Sequence, residues 1–340
     1  MVAAANSSIN GTPTRKHGML RTLLAAGVLP WLVALAVCFF SIGSDAFLTQ
    51  QNLLNLVRQA SYLTLVSIGQ FLVIITAGLD LSVGVMLAIC SVVAATVMSY
   101  WPDGLAGSIW LVIGFGCLAA MGAALIIGIV NGIGIAVLNV NPFMMTLAMS
   151  SIGFGIALMM TGGVPVYGIP SAFSDVFGFG TALGIPTPIL VTIGFIALVH
   201  FLLQHMHVGR YLYAIGSNPR AASLSGINVA FYTFLAYSLC ALLASVAALL
   251  LTARLESGEA NLGASMPLQS IAACVVGGVS LTGGVGKLRD VVLGAIFITL
   301  VQNGLNLMGM DSYVQMVVIG CLLVLAIVFD NLRRRLELSA

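Results

Sequence analysis

GSIWLVIGFGCLAAMGAALIIGIVNGIGIA, residues 107–136, runs for thirty positions without a charged side chain. A helix needs about 20 apolar residues to cross the roughly 30 Å hydrocarbon layer of a bilayer, so this stretch can span it and is too long to do so upright. Gly114, Gly116, Gly122, Gly128, Gly132 and Gly134 lie along it, which predicts tilt or a break, and Gly128-x-x-x-Gly132 suits close packing against another helix. The rest of the chain has the same character. Of its 340 residues 60% are hydrophobic and 6% charged, too little polarity to cover a water-facing surface. Lipid admits only helices or closed barrels, and long apolar runs without strict alternation select helices. The chain is read as an all-α polytopic membrane protein.

Charges, prolines and turn clusters cut it into ten spans, at 20–42, 52–77, 83–101, 107–137, 142–161, 187–204, 229–253, 268–282, 289–309 and 313–330. They form one transmembrane domain over 20–331, between a polar leader at 1–19 and a basic tail at 332–340. Threaded from a cytoplasmic N-terminus, Arg15, Lys16, Arg21, Arg210, Arg220, Lys287, Arg289, Arg333, Arg334 and Arg335 fall inside and only Arg254 outside. This sorting obeys the positive-inside rule and puts both termini in the cytoplasm. Arg58, six residues into the second span, is expected to snorkel to the outer headgroups. Spans 2–5 and 7–10 are equal in number and opposite in direction, the geometry of an inverted repeat, and each set holds an Asn-Gly pair, Asn131-Gly132 and Asn303-Gly304. Span 268–282 is short and opens into Gly277-Gly278-Val279-Ser280-Leu281-Thr282-Gly283-Gly284-Val285-Gly286, which predicts a helix broken near 268–286. The six scattered cysteines fit neither a zinc quartet nor a disulfide framework and read as small core residues.

Polar groups at membrane depth are expensive and mark pathways. Asp80, in Gly78-Leu79-Asp80-Leu81-Ser82-Val83-Gly84, is read either as a gate residue or as a cap, since Asp80 or Ser82 could accept from the first N–H groups of the next helix. Asp80, Ser82, Asn131, Thr146, Ser280 and Asn303 are the residues assigned to the path or gate. Further amides and hydroxyls inside the spans, Gln70 and Gln269 among them, suit a neutral, hydroxyl-rich solute, and no intramembrane cluster of carboxylates or cations is apparent that would hold a driving ion or a charged one.

The segment from His205 to Asn228 is a long cytoplasmic loop. Within it Ser217 or Asn218 caps a two-turn helix that starts at Pro219 and stops at Gly226. Being too short to persist alone, this knob requires packing against a partner or its own bundle. His205 and His207 lack further ligands and read as solvated rather than metal-binding. Gly286-Lys287 has Leu281 and Leu288 where a phosphate-binding loop needs Gly and Ser or Thr, so the chain has no ATP site of its own. No nucleophile elbow or zinc-protease motif appears.

The Asp80 motif, Gly209-Arg210-Tyr211-Leu212-Tyr213-Ala214-Ile215-Gly216-Ser217-Asn218-Pro219, Leu224-Ser225-Gly226-Ile227, Ile271-Ala272-Ala273 with the glycine run, and Asn303-Gly304-Leu305-Asn306-Leu307 together resemble the permease subunit of bacterial ribose-type ABC importers. The resemblance covers nearly everything after residue 20. It implies a multi-pass permease of the bacterial inner membrane that dimerises, most simply as a homodimer, and receives a monosaccharide or related neutral polyol from a periplasmic binding protein. It also implies drive from a cytoplasmic ABC ATPase that carries the ATP and Mg, with no cofactor, metal or enzymatic activity in this chain and no nucleic-acid partner. By the same analogy the 205–228 loop is the coupling segment, with Gly209, Arg210, Gly216, Asn218, Pro219, Ala221 and Gly226 its key residues. One departure stands out: where the family commonly reads Tyr-Glu-Leu-Asp-Ala, this chain has Met266-Pro267-Leu268-Gln269-Ser270, without either acid. Rival readings are an ABC permease for a nucleoside or branched-chain amino acid, and an ion-coupled secondary transporter.

Overall fold

The computed structural model describes residues 29–101 and 107–338; the 1–19 leader and the start of the first span lie outside the described residues. Ten apolar helices occupy the ten expected places: α1 Leu29–Gly43, α2 Gln50–Ile74, α3 Val83–Tyr100, α4 Ile109–Ala136, α5 Pro142–Thr161, α6 Thr187–His205, then, beyond α7 His207–Ser217 and α8 Pro219–Leu224, α9 Val229–Leu255, α10 Met266–Val276, α11 Leu288–Leu307 and α12 Ser312–Leu338. Seven are long and apolar enough to cross a membrane, α1, α10 and the apolar part of α12 being shorter. A short helical turn and a two-residue-per-strand hairpin fill the connection between α5 and α6.

Local chemistry sets several boundaries. Asn141 accepts from Phe143 N–H and Met144 N–H just ahead of Pro142, and Asn228 accepts from Phe231 N–H, which satisfies first-turn donors that would otherwise be orphaned. Gly162 closes α5 in the left-handed conformation (φ 60°), where glycine carries no Cβ penalty. The glycine-rich stretch 109–136 forms one continuous helix, so of the two expectations the break is not realised. At 1.5 Å per residue it is about 42 Å long, and tilt or protruding ends absorb the excess. Its glycines serve contact instead: a Cβ at Gly128 would meet Ala241 and the Tyr237 carbonyl, and one at Gly132 would meet Phe234, so α4 lies backbone-close against α9.

Helices α2, α3 and α9 form the centre, with 83%, 72% and 72% of their most apolar windows buried, whereas α5 and α6, at 17% and 22%, face outward. Cys90, Cys240 and Cys274 are core residues as expected, but Cys38 and Cys321 are exposed on peripheral helices. The two sets of four spans have matching neighbours. Helix α9 packs on α4 and α3 just as α2 packs on α11 and α10, and the pairs α3–α4, α3–α5 and α4–α5 recur as α10–α11, α10–α12 and α11–α12. Exchanging the sets leaves this packing map unchanged, which is what a repeat predicts.

Helix α10 has 11 residues, about 16 Å, and cannot cross. Gly277 to Lys287 continues without helix until α11 turns back, giving the broken element the glycines foretold. Two differences concern the helical ends. The 205–228 loop holds two helices rather than one, because α7 precedes the Asn218 cap; and α12 continues through Arg333–Arg335 to Leu338, so the basic tail begins as helix.

Candidate functional site: a sealed junction and an open polar cavity

Four of the six path residues meet at the turn between α2 and α3. Ser82 donates to Asp80 Oδ1 from its N–H (2.9 Å) and its hydroxyl (2.6 Å), and its Oγ accepts from Asn131 Nδ2 on α4 at 2.7 Å. The Gln70 carboxamide, oriented to satisfy its neighbours, donates to the Asp80 carbonyl (3.0 Å) and accepts from Asp80 N–H (3.1 Å). The neighbouring Leu79 carbonyl accepts from Tyr237 Oη at 3.3 Å and from Thr146 Oγ1 at 3.5 Å. Asp80, Ser82, Asn131, Thr146 and Gln70 are all fully buried. Asp80 thus ties its own turn together, bonding Ser82 N–H rather than the first-turn amides of α3; Ser82 is the N-cap residue and makes no side-chain cap bond. Asp80 Oδ2 and Asn131 Oδ1 are buried without a hydrogen-bond partner. Burial pushes the Asp80 carboxyl above its ordinary range, against the lowering effect of the Ser82 bonds. Tyr237, which sequence reasoning passed over, seals this turn from α9.

The glycine run and the 205–228 segment lock onto the same end of α2. Gly284 N–H donates to the Ile75 carbonyl at 3.0 Å, and Tyr213 Oη on α7 donates to the Gly286 carbonyl at 2.9 Å. A Cβ on Gly216 would collide with the Ile75 carbonyl, and one on Gly209 with the Leu203 backbone. Ser280, nearly buried, lies within this run beside Thr282 (3.0 Å) and donates its N–H to the Val285 carbonyl (3.0 Å). The α7 segment that precedes the knob is therefore held by its own bundle. Of the seven coupling residues, Gly209 and Gly216 are buried in the joint, while Arg210, Asn218, Pro219, Ala221 and Gly226 are exposed. Asn218 Oδ1 caps α8 through Ala221 N–H at 3.0 Å, and Arg210 Nη2 lies 2.7 Å from His207 Nδ1.

Asn303 is elsewhere. It exchanges paired amide bonds of 2.9 and 3.0 Å with Asn52, near the start of α2, and so lies at the opposite end of that helix from Asp80. Close to it opens a cavity of about 240 Å³ between α2, α9, α10 and α11, lined by polar residues that include Asn55, Arg58, Gln59, Tyr62, Arg254, Gln269, Thr299 and Gln302. Arg58, expected to snorkel, lines this cavity, and so does Arg254, threaded to the outside. The Met266-to-Ser270 departure falls here too, since Met266 and Gln269 are lining residues. The sequence carried a signal for the site: Asn55, Arg58, Gln59 and Tyr62 recur at three- and four-residue spacing, a polar stripe on one face of an apolar helix.

Residues 52–327 match the family described as "Branched-chain amino acid transport system / permease component". The chain belongs to this permease family. Its relatives include the ribose import permease protein of Escherichia coli strain K12, 39% identical over 88% of this chain and 92% of that one. Another is the D-allose transport system permease protein of the same strain, 33% identical over 89% and 90%. The galactose/methyl galactoside import permease protein of Salmonella typhimurium strain LT2 is 36% identical over 94% and 97%. No solved structure matches the chain. The permease is a multi-pass protein of the inner membrane and a transport component.

Proposed function

We propose that this permease is the membrane-spanning subunit of an ATP-driven importer for a monosaccharide or a related polyol. A periplasmic binding protein delivers the solute, and a second copy of the permease, most simply identical, completes the channel. ATP and Mg act on a cytoplasmic ABC ATPase. The observation that carries the solute class is the cavity, whose Asn55, Gln59, Gln269, Gln302, Thr299 and Tyr62 offer directional hydrogen bonds of the kind a polyol needs. The relatives' names, for ribose import, D-allose transport and galactose/methyl galactoside import, support the same class.

Coupling follows from the joint at Ile75. Force on the exposed α7–α8 segment reaches Gly216, then the Ile75 carbonyl and Gly284, and so both the broken element and the turn holding Asp80. Asp80, Ser82, Asn131 and Thr146 act in this reading as one gate element that moves with the end of α2, and Ser280 moves with the glycine run. The positive-inside sorting puts this joint on the cytoplasmic face, where an ATPase can reach it. The test is uptake into vesicles holding permease, ATPase and binding protein. Transport should require ATP, and Gly216→Pro should leave membrane insertion intact while separating ATP hydrolysis from uptake. Accumulation by the permease alone under an ion gradient would refute the reading.

A further inference from the structure

The cavity gathers two arginines and no acid. Arg58 Nη1 donates to Asn55 Oδ1 at 3.2 Å, but its Nε is buried without a partner, and so is the hydroxyl of Tyr62, a residue only 4% exposed. Arg254, at the end of α9, rests its guanidinium 4.8 Å from the centroid of the Phe179 ring, which positions the group without neutralising it. No aspartate or glutamate lines the cavity, and the single ion pair among the described residues, Arg289–Asp290, involves neither arginine. Two half-buried cations without a counter-charge disfavour one another, and a buried N–H or O–H left unbonded adds to the cost. A ligand that brings one negative charge removes the first penalty, and a guanidinium fork favours a planar, two-oxygen anion over a point charge.

We infer that this cavity binds a sugar acid, a monosaccharide-sized polyol bearing one carboxylate, with the anion on Arg58 and Arg254 and the hydroxyls on Tyr62, Thr299 and the surrounding amides. This rests on the permease reading for the polyol and adds the acid group. A volume of about 240 Å³ admits one small solute and no long chain.

The permease, purified whole in a detergent free of anionic lipid, is titrated with D-gluconate or D-galacturonate at constant ionic strength, against D-ribose, inorganic phosphate and phosphatidylglycerol, with thermal unfolding as the readout. The sugar acids should raise the melting temperature at concentrations where ribose does not. Arg58→Gln and Arg254→Gln should each weaken binding at least about ten-fold, Tyr62→Phe several-fold, and Arg58→Lys less than Arg58→Gln. The lysine and phenylalanine variants keep volume and charge or ring, so they report on the site even where a glutamine variant folds poorly. Ribose binding that matches gluconate and survives the arginine changes would overturn the assignment. So would a shift produced by phosphatidylglycerol or inorganic phosphate and not by the sugar acids. Gluconate binding undiminished in Arg58→Gln and Arg254→Gln would also sink it while leaving the importer standing. Because the titration needs no ATPase, failure of coupled uptake is read separately.

Discussion

The two polar regions on α2 differ in how their leftovers are disposed. At the Asp80 turn, hydroxyls, amides and backbone groups from α2, α3, α4, α5 and α9 bond one another in full burial, and the atoms left over are one carboxyl and one amide oxygen. At the Tyr62 cavity the leftovers are N–H and O–H donors of residues that line open space. Polar groups that serve folding mostly bond one another, whereas the cavity gathers cations with no acid of the protein to receive them. The contrast is testable. Changes at the turn should register in stability, and changes in the cavity should register in binding and transport.

Gly216→Val is expected to have the largest effect. Its Cβ would sit on the Ile75 carbonyl, a backbone atom that cannot swing aside, so overpacking costs about 1–3 kcal/mol and the joint between α7 and α2 opens. Thermal unfolding should shift down and ATP-driven uptake should vanish. A variant as stable as wild type would mean the joint is looser than its geometry. Ser82→Ala comes next. It removes the hydroxyl that links Asn131 to Asp80, leaving a buried amide donor orphaned at about 1–3 kcal/mol.

Asp80→Asn should cost less than Ser82→Ala, about 1 kcal/mol or under, because burial disfavours the charge that is removed and the amide oxygen can still accept from Ser82. The pH dependence has a definite sign. A carboxyl whose folded pKa is raised binds its proton more tightly in the folded state, so stability falls as pH rises from the ordinary carboxylate range through the raised value. Asp80→Asn should flatten that part of the melting-temperature profile. An unchanged profile would mean that Asp80 stays ionised.

How much of this was legible in the sequence follows from what each feature depends on. Hydropathy, Pro142, Pro219 and Gly162 act within a turn or two, and the ten helices lie where such local signals place them. The broken element was legible for the same reason, since ten residues with five glycines sustain no helix. The Asp80 turn was half legible: Asp80, Ser82, Asn131 and Thr146 were singled out as polar residues in apolar surroundings, but Tyr237 belongs to the turn only because α9 crosses it. Asn303 resembled Asn131 in its Asn-Gly setting, yet bonds Asn52 at the other end of α2. The cavity was the least legible part. Arg58 and Arg254 are remote in sequence and meet through the packing of α2 with α9, a relation no local pattern encodes. The polar stripe on α2 was visible, but without its partners it read as one snorkelling arginine.

Gln269→Asp sharpens the comparison with the smallest expected change in stability. Gln269 sits in the first turn of α10 and lines the cavity. There a carboxylate gains from the helix dipole, typically about 0.3–1 kcal/mol, and comes near two arginines that lack an acid. Because the cavity is open, an ion pair formed in it is worth roughly 0–1 kcal/mol, so the melting temperature should hold or rise slightly. Binding should respond in the opposite direction. An internal carboxylate occupies the arginines that the ligand's anion would use, so gluconate affinity should fall about ten-fold. Stability and binding moving apart after one substitution is the behaviour of a site kept open for a guest. If Gln269→Asp instead lowered both together, the cavity would be a packing element like the Asp80 turn, and the distinction between the two ends of α2 would be lost.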